Sequence, residues 1–366
     1  MRIGIILTGD YGWAGGVYYS LNIIQLLHTL PPSKNTQVVA IVNSATPKEV
    51  LDALPKTGIE LAYLDRKPFV YRLYHKLLGD RFPADINGLK LHVLYPLIAY
   101  HTNHKKLTCK TFYWLYDFQH KFLPHLFTKK EIEARDHTFE LIARNAKDVV
   151  FSSYDSENHF DQFYPESKSI KHVYNFVSLL KKPVNVASST GVLKDYFIVC
   201  NQFWPHKNHL IVLKALAELN QQGRKTHIVF TGKYTDDRNA EYVNELSGFI
   251  KEHELDKAVT LTGFISREEQ INLIVNARAV IQPSFFEGWS TVVEDAKALN
   301  KFLLASNIAV NREQVKRNVL FFDPNNHLEL VGCIQQFIDG QTPLTPIDYA
   351  SNIETSKNDL IKLFKI

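Results

Sequence analysis

The residues best suited to chemistry lie between Pro283 and Leu299. Arg278 to Gln282 reads as a strand, the loop Glu287-Gly288-Trp289 follows it, and a helical pattern opens near Ser290 or Thr291 and runs on through Val292. A loop feeding a helix start presents unpaired backbone N–H groups and the positive end of the helix dipole, a setting for a phosphate group. Gly288 lets the backbone come close to a ligand. The carboxylates of Glu287, Glu294 and Asp295 can accept hydrogen bonds from sugar or ribose hydroxyls. Thr291-Val292-Val293-Glu294 also reads as a capping box, which gives Glu294 a structural task. The competing interpretation is a strand–loop–helix joint whose acids only cap the helix.

Four further segments carry polar groups after apolar runs. Asn201-Gln202-Phe203-Trp204-Pro205-His206-Lys207-Asn208 follows the strand Tyr196–Cys200. His206 and Lys207 are there either ligand groups or exposed loop residues before a helix. Thr262-Gly263-Phe264-Ile265 follows Val259–Leu261, with core packing as the alternative role for Phe264. Gly12-Trp13-Ala14-Gly15-Gly16-Val17 sits between the first strand and the first helix. It either binds phosphate or lets strand and helix pack closely, and it lacks the Gly-x-Gly-x-x-Gly spacing of dinucleotide sites. Tyr113 to Tyr116 runs into the polar loop Asp117-Phe118-Gln119-His120, and Ser152 and Ser153 end the next strand.

These segments need a parallel sheet to position them. Short apolar runs (Gly4–Leu7, Val38–Val42, Thr111–Tyr116, Asp148–Ser152) alternate with helical patterns such as Tyr18, Leu21, Ile24, Leu26 and Leu27. That alternation predicts an α/β fold with helices covering the sheet. The pattern lapses near Asn175–Lys194, where Pro183, Ser188, Ser189 and Gly191 mark a linker, and then begins again. With 366 residues, two Rossmann-like domains are expected, facing each other across a cleft. Their predicted bounds are 1–176 and 194–347, with a linker at 177–193 and a last helix at about 348–366 returning to the first domain.

Composition narrows the class. An apolar fraction of 45% and a charged fraction of 22% are those of a globular protein. The net charge of +4 is too small for a nucleic-acid partner. No apolar run reaches a membrane span, the N-terminus does not read as a secretion signal, and three scattered cysteines fit neither a metal site nor a disulfide set. A cytoplasmic protein is expected. Arg66 to Arg81 interleaves Arg66, Lys67, Arg72, Lys76 and Arg81 with Phe69, Tyr71 and Tyr74. It is either a helix packed with snorkelling basic side chains or a peripheral contact with the inner face of a membrane.

The run Glu287-Gly288-Trp289-Ser290 resembles the donor motif of the GT-B glycosyltransferases of family 4, which reads Glu-Gly-Phe-Gly with a second acid eight positions after the first. Here Asp295 holds the eighth position and Glu294 the seventh. The similarity continues through Ala296, Ala298 and Lys301 to Ala305-Ser306, and through Phe321-Phe322-Asp323-Pro324. The resemblance implies retaining transfer of a hexose-type sugar from a nucleotide-sugar donor to a glycan or lipid-linked acceptor, as in bacterial surface polysaccharide synthesis, with no metal and no other cofactor. It places Glu287 near the transferred sugar, Asp295 (with Glu294 as the alternative) on the ribose, and Ser290, Thr291 and Val292 on the diphosphate. Lys207 matches a phosphate-gripping Lys. The position of its partner Arg is Gln202, for which His206 would have to compensate. Phe264 and Ile265 fall in the loop that approaches the base, Gly15 and Gly16 in a loop facing donor and acceptor, and Asp117 and His120 near the donor sugar. The rival readings are a partner-dependent nucleotide-sugar-binding subunit and a GT-B epimerase or phosphorylase.

Overall fold

The computed structural model describes residues 1–7, 14–64, 82–180, 195–234 and 240–366. The Arg66–Arg81 segment, Gly12 with Trp13, and residues 181–193 of the predicted linker lie outside them. The chain divides into two compact units. Unit 1 holds Met1–His120, Phe127–Val177 and Ala350–Ile366; unit 2 holds Lys121–Leu126 and Ser178–Tyr349.

Unit 1 is built on a parallel seven-stranded sheet. Its strands are β1 (Arg2–Ile6), β2 (Gln37–Val42), β3 (Ile59–Tyr63), β4 (Val93–Leu97), β5 (Lys110–Leu115), β6 (Asp148–Phe151) and β7 (Ile170–Val173), in the order β3-β2-β1-β4-β5-β6-β7. After Gln37 and Asp148 at their first positions, β2 and β6 are, like β4, apolar runs without alternation, as burial on both faces demands. The helix Ala14–His28 buries Ile23, Ile24, Leu26 and Leu27. Ala350 onward belongs to this unit. Phe364, in the last helix Tyr349–Phe364, meets the rings of Tyr95 and Phe112 edge-on at 5.9 and 5.5 Å, and Ser356 shares a hydrogen bond with Tyr174.

Unit 2 holds β8 (Phe197–Cys200), β9 (Ile228–Thr231), β10 (Val259–Gly263), β11 (Ala279–Gln282), β12 (Phe302–Ser306) and β13 (Val319–Phe322). They form a parallel sheet ordered β10-β9-β8-β11-β12-β13. On one face the helices His209–Gln221 and His327–Ile338 pack on Phe197, Val199, Phe230 and Ile281. On the other, Arg267–Asn276 and Thr291–Ala298 pack on Ile198, Val229, Val280 and Leu303. Strand order reverses between β8 and β11, so this is the topological switch point, where open α/β sheets place ligands beyond the carboxyl ends of their strands.

Two local readings of the sequence need correction. Gly15 and Gly16 do not sit in a loop between strand and helix; they lie in the first turn of Ala14–His28. Thr291 is not the cap of its helix. Ser290 is, accepting from the Val293 N–H, because the helix starts one residue earlier than a Thr291–Glu294 capping box would require. The other predicted box is present: Ser266 and Glu269 cap each other reciprocally at Arg267–Asn276.

Gly232 fixes the spacing of the loops after β8 and β9. Its φ is +142°, and a Cβ there would come within 2.1 Å of the Asn201 carbonyl oxygen. Only a glycine adopts this backbone and admits so close an approach. Gly232→Ala is expected to destabilise unit 2 by about 3 kcal/mol, through strain and displacement of the Asn201 loop. A urea-midpoint shift equivalent to less than about 1 kcal/mol would show that the two loops separate freely.

Candidate functional site

Two loops meet at the β8/β11 switch point. After β8, Pro205–Lys207 makes a short 3-10 turn and Asn208 takes a left-handed conformation, φ 55°. The Asn208 amide then donates to the carbonyls of Pro283 (3.1 Å) and Pro324 (2.8 Å), and the Phe285 N–H donates to the His206 carbonyl (2.8 Å). The Asn208 side chain and one backbone bond therefore hold the loop after β8 against the loop after β11. Lys207 Nζ reaches Glu287 Oε1 at 2.6 Å, with the Glu287 side chain 8% exposed and that of Lys207 19%. A lysine and an acid predicted separately from sequence thus form one ion pair. Gln282 Nε2 donates to the same carboxylate oxygen at 2.8 Å. Gln202 lies in the same loop, where its Oε1 accepts from the Trp204 indole N–H at 2.8 Å.

The helix start is held from both sides. Gln314 accepts from the Ser290 N–H (3.2 Å) and donates to the Ser290 carbonyl (2.7 Å). The first N–H groups after the cap, those of Thr291 and Val292, have no acceptor within a helix. They sit at the positive end of the helix dipole, just after Gly288 and half-buried Trp289 in the chain.

The two following acids face inward. Asp295 is fully buried. Arg267 grips it with both guanidinium nitrogens (2.6 and 2.5 Å), and Ser178 Oγ donates to it at 2.6 Å. Glu294, 1% exposed, accepts from Tyr349 Oη (2.5 Å), Gln314 Nε2 (3.0 Å) and Lys297 Nζ (2.7 Å). Glu294 makes no capping contact; its task is this cluster. Tyr349 Oη also accepts from the Ser178 N–H at 2.8 Å. Burial and the neighbouring Glu294 push the Tyr349 phenol far above its ordinary range, so it serves these contacts as a neutral hydroxyl. Sequence reasoning missed Gln282, Arg267, Gln314, Ser178 and Tyr349, since partners so distant in sequence leave no local pattern.

At the end of β10, Gly263 has φ +74° and its carbonyl accepts from the Gly232 N–H. Phe264, next in sequence, is 56% exposed, so core packing does not account for it; Ile265 packs against the core.

In unit 1, Asp117 and His120 follow the carboxyl end of β5. Asp117 Oδ1 accepts from the Gln119 N–H (3.1 Å) and Arg135 Nη1 (3.3 Å). His120 is buried and pairs with Asp136 at 2.9 Å. Burial, aided by Arg135, lowers its pKa against the opposing pull of Asp136. Ser152 accepts from the Trp114 indole and Ser153 caps Tyr154–Phe163, so both have structural roles.

His209, next to Lys207 and Asn208, stacks on Phe203 at 4.3 Å and is wholly buried. Burial lowers its pKa from 6.5 to about 3. The folded chain therefore keeps this imidazole neutral while the unfolded chain protonates it. The stability this confers is complete above pH 6.5 and is lost as the pH falls from there toward 3, at roughly 1.4 kcal/mol per pH unit. His209→Phe, which keeps a ring on Phe203, is expected to remove most of that loss. Urea unfolding at pH 7 and pH 5 tests this, and equal pH sensitivity in variant and wild type would refute it.

Residues 190–355 match the family model described as "Glycosyl transferases group 1". The O-antigen chain mannosyltransferase RfbU of Salmonella typhimurium is 24% identical over 191 residues, 51% of this chain and 50% of that protein. The GDP-Man:Man(3)GlcNAc(2)-PP-Dol alpha-1,2-mannosyltransferase of Dictyostelium discoideum is 25% identical over 145 residues, 38% of this chain and 29% of that protein. The chain thus spans half or less of the length of these curated relatives. Among solved structures, Anabaena HepE in complex with UDP and glucose superposes with a TM-score of 0.68 at 17% identity, over 99% of this chain and 97% of that one. The match to the group 1 glycosyl transferases is thus confined to residues 190–355, and the two parallel-sheet units are those of the GT-B fold.

Proposed function

We propose that this chain transfers a hexose-type sugar from a nucleoside-diphosphate donor to a hydroxyl of a glycan or lipid-linked acceptor, with retention of configuration and without a metal, in the assembly of a bacterial surface polysaccharide. The observation that carries this reading is the Lys207–Glu287 pair at the β8/β11 switch point, three residues before the helix start at Ser290–Val292. The helix start and Lys207 meet the leaving diphosphate, a preorganised electrostatic role. Glu287 accepts from a hydroxyl of the transferred sugar, and the leaving phosphate assists removal of the acceptor proton. Phe264, Ile265 and the Gly263 backbone flank the base. Asp295 contacts the ribose only if Ser178 or Arg267 moves aside, because its carboxylate is fully buried among these partners. The mannosyltransferase relatives make GDP-mannose a natural donor to try.

The test is calorimetric binding and slow hydrolysis with UDP-glucose, UDP-galactose, UDP-N-acetylglucosamine and GDP-mannose, with and without chelator. Binding of none refutes the reading, and loss of turnover on chelation refutes its metal independence. A second reading, a binding subunit dependent on a partner, is favoured by Gln202, whose neutral amide offers a diphosphate no charge. Donor binding without hydrolysis or transfer by the chain alone would select it.

A further inference from the structure

Gln282 ends the apolar strand β11 and is completely buried. An interior amide costs free energy unless its N–H and C=O groups are paired. Here the pairing is directional. Asn201 Nδ2 donates to Gln282 Oε1 at 3.3 Å. The other end of the amide donates to Ser284 Oγ at 3.0 Å and to Glu287 Oε1 at 2.8 Å. A carboxylate only accepts, so the amide must turn its nitrogen toward Glu287. Lys207 meets that same oxygen at 2.6 Å. Among the described residues, Glu287 Oε2 takes no hydrogen bond from the protein, so both anchoring contacts fall on one side of the carboxylate.

We infer that Gln282 is a positioning residue. With Lys207 it pins Glu287 by Oε1 and thereby presents Oε2 to the ligand. This rests on the reading of Glu287 as the acid that meets the transferred sugar. Lys207 alone would not fix the carboxylate, because an ammonium on a flexible stem attracts from many directions. The amide, rigid at the end of a central strand and oriented by Asn201, supplies the direction.

Two variants of the full chain test it, assayed with whichever of the four nucleotide sugars binds. Gln282→Met keeps the volume and removes the donor; kcat is expected to fall roughly 10- to 100-fold, as for a lost hydrogen bond to a charged group, with KM within about threefold. Gln282→Glu replaces the donor with an acceptor that repels Glu287. A carboxyl buried beside another carboxylate titrates upward, and once protonated it donates again. The ratio of variant to wild-type rate should therefore climb as the pH is lowered from 8 to 5.5. An unchanged kcat in the Met variant, or a pH-independent ratio in the Glu variant, overturns the proposal. If the wild type binds none of the four sugars, the functional reading fails instead. Ligand-free crystal structures of wild type and Gln282→Met then decide the positioning role: a Glu287 carboxylate that swings away supports it, and one that stays in place overturns it.

Discussion

Asp295→Ala is expected to destabilise unit 2 by about 3 kcal/mol, with a fall in Tm of roughly 6–12 °C. The carboxylate is fully buried and bears three short contacts from Arg267 and Ser178. Removing it strands the Arg267 guanidinium beside an apolar core and leaves the Ser178 hydroxyl without an acceptor. The Arg267 side chain is 32% exposed, so water relieves part of the charge, which places the effect at the low end for a broken buried pair. Asp295→Asn should fall between, because it keeps the shape and loses the charge. Chemical denaturation followed by tryptophan fluorescence measures both. A loss below about 1 kcal/mol for the alanine variant would mean that Arg267 does not depend on this acid. Glu294→Gln should cost less, since an amide still accepts from Tyr349 or Lys297.

Lys207→Ala carries the second large effect, this time on activity. Under the proposed function it removes the same cation from two places, from Glu287 and from the diphosphate. kcat/KM for the donor is expected to fall about 10²- to 10³-fold, the range seen when one preorganised donor is lost from an oxyanion site. Affinity for a nucleoside diphosphate should weaken far more than affinity for the nucleoside, and Lys207→Arg should recover much of the loss. Equal weakening of both ligands would assign Lys207 to the fold alone. Because Gln202 offers no second charge, the effect should be large for a single lysine.

Much of this architecture was legible because buried parallel strands are short unbroken apolar runs, and their succession with helical patterns announces the sheet. β4 escaped because Pro96 interrupts Val93–Leu97, and the ladder to β5 shifts register between Leu94 and Leu97. β3 and β7 escaped because they close the sheet edge-on and are only partly buried, with polar residues among the apolar ones. At the site, types and spacing pointed to Lys207 and Glu287 separately, but only the adjacency of β8 and β11 joins them. Asp295 shows where spacing alone falls short. Its place in a motif suggests an exposed ligand group, whereas its surroundings come from Arg267 and Ser178, 28 and 117 residues away.

The hydrogen bond from the Ser178 N–H to Tyr349 Oη has a consequence for how the chain assembles. Ser178 and Tyr349 are the first and last residues of the long segment of unit 2, and this bond brings them together. The long segment of unit 2 is therefore an insertion whose two ends meet, and residues 350–366 of unit 1 follow it in the chain. As the chain emerges from a ribosome, Tyr95 and Phe112 must wait for Phe364 until the whole insertion has been synthesised. Folding of the insertion, by bringing its two ends together, delivers the last helix at a short tether instead of at the end of some 170 disordered residues, which lowers the entropic cost of completing unit 1.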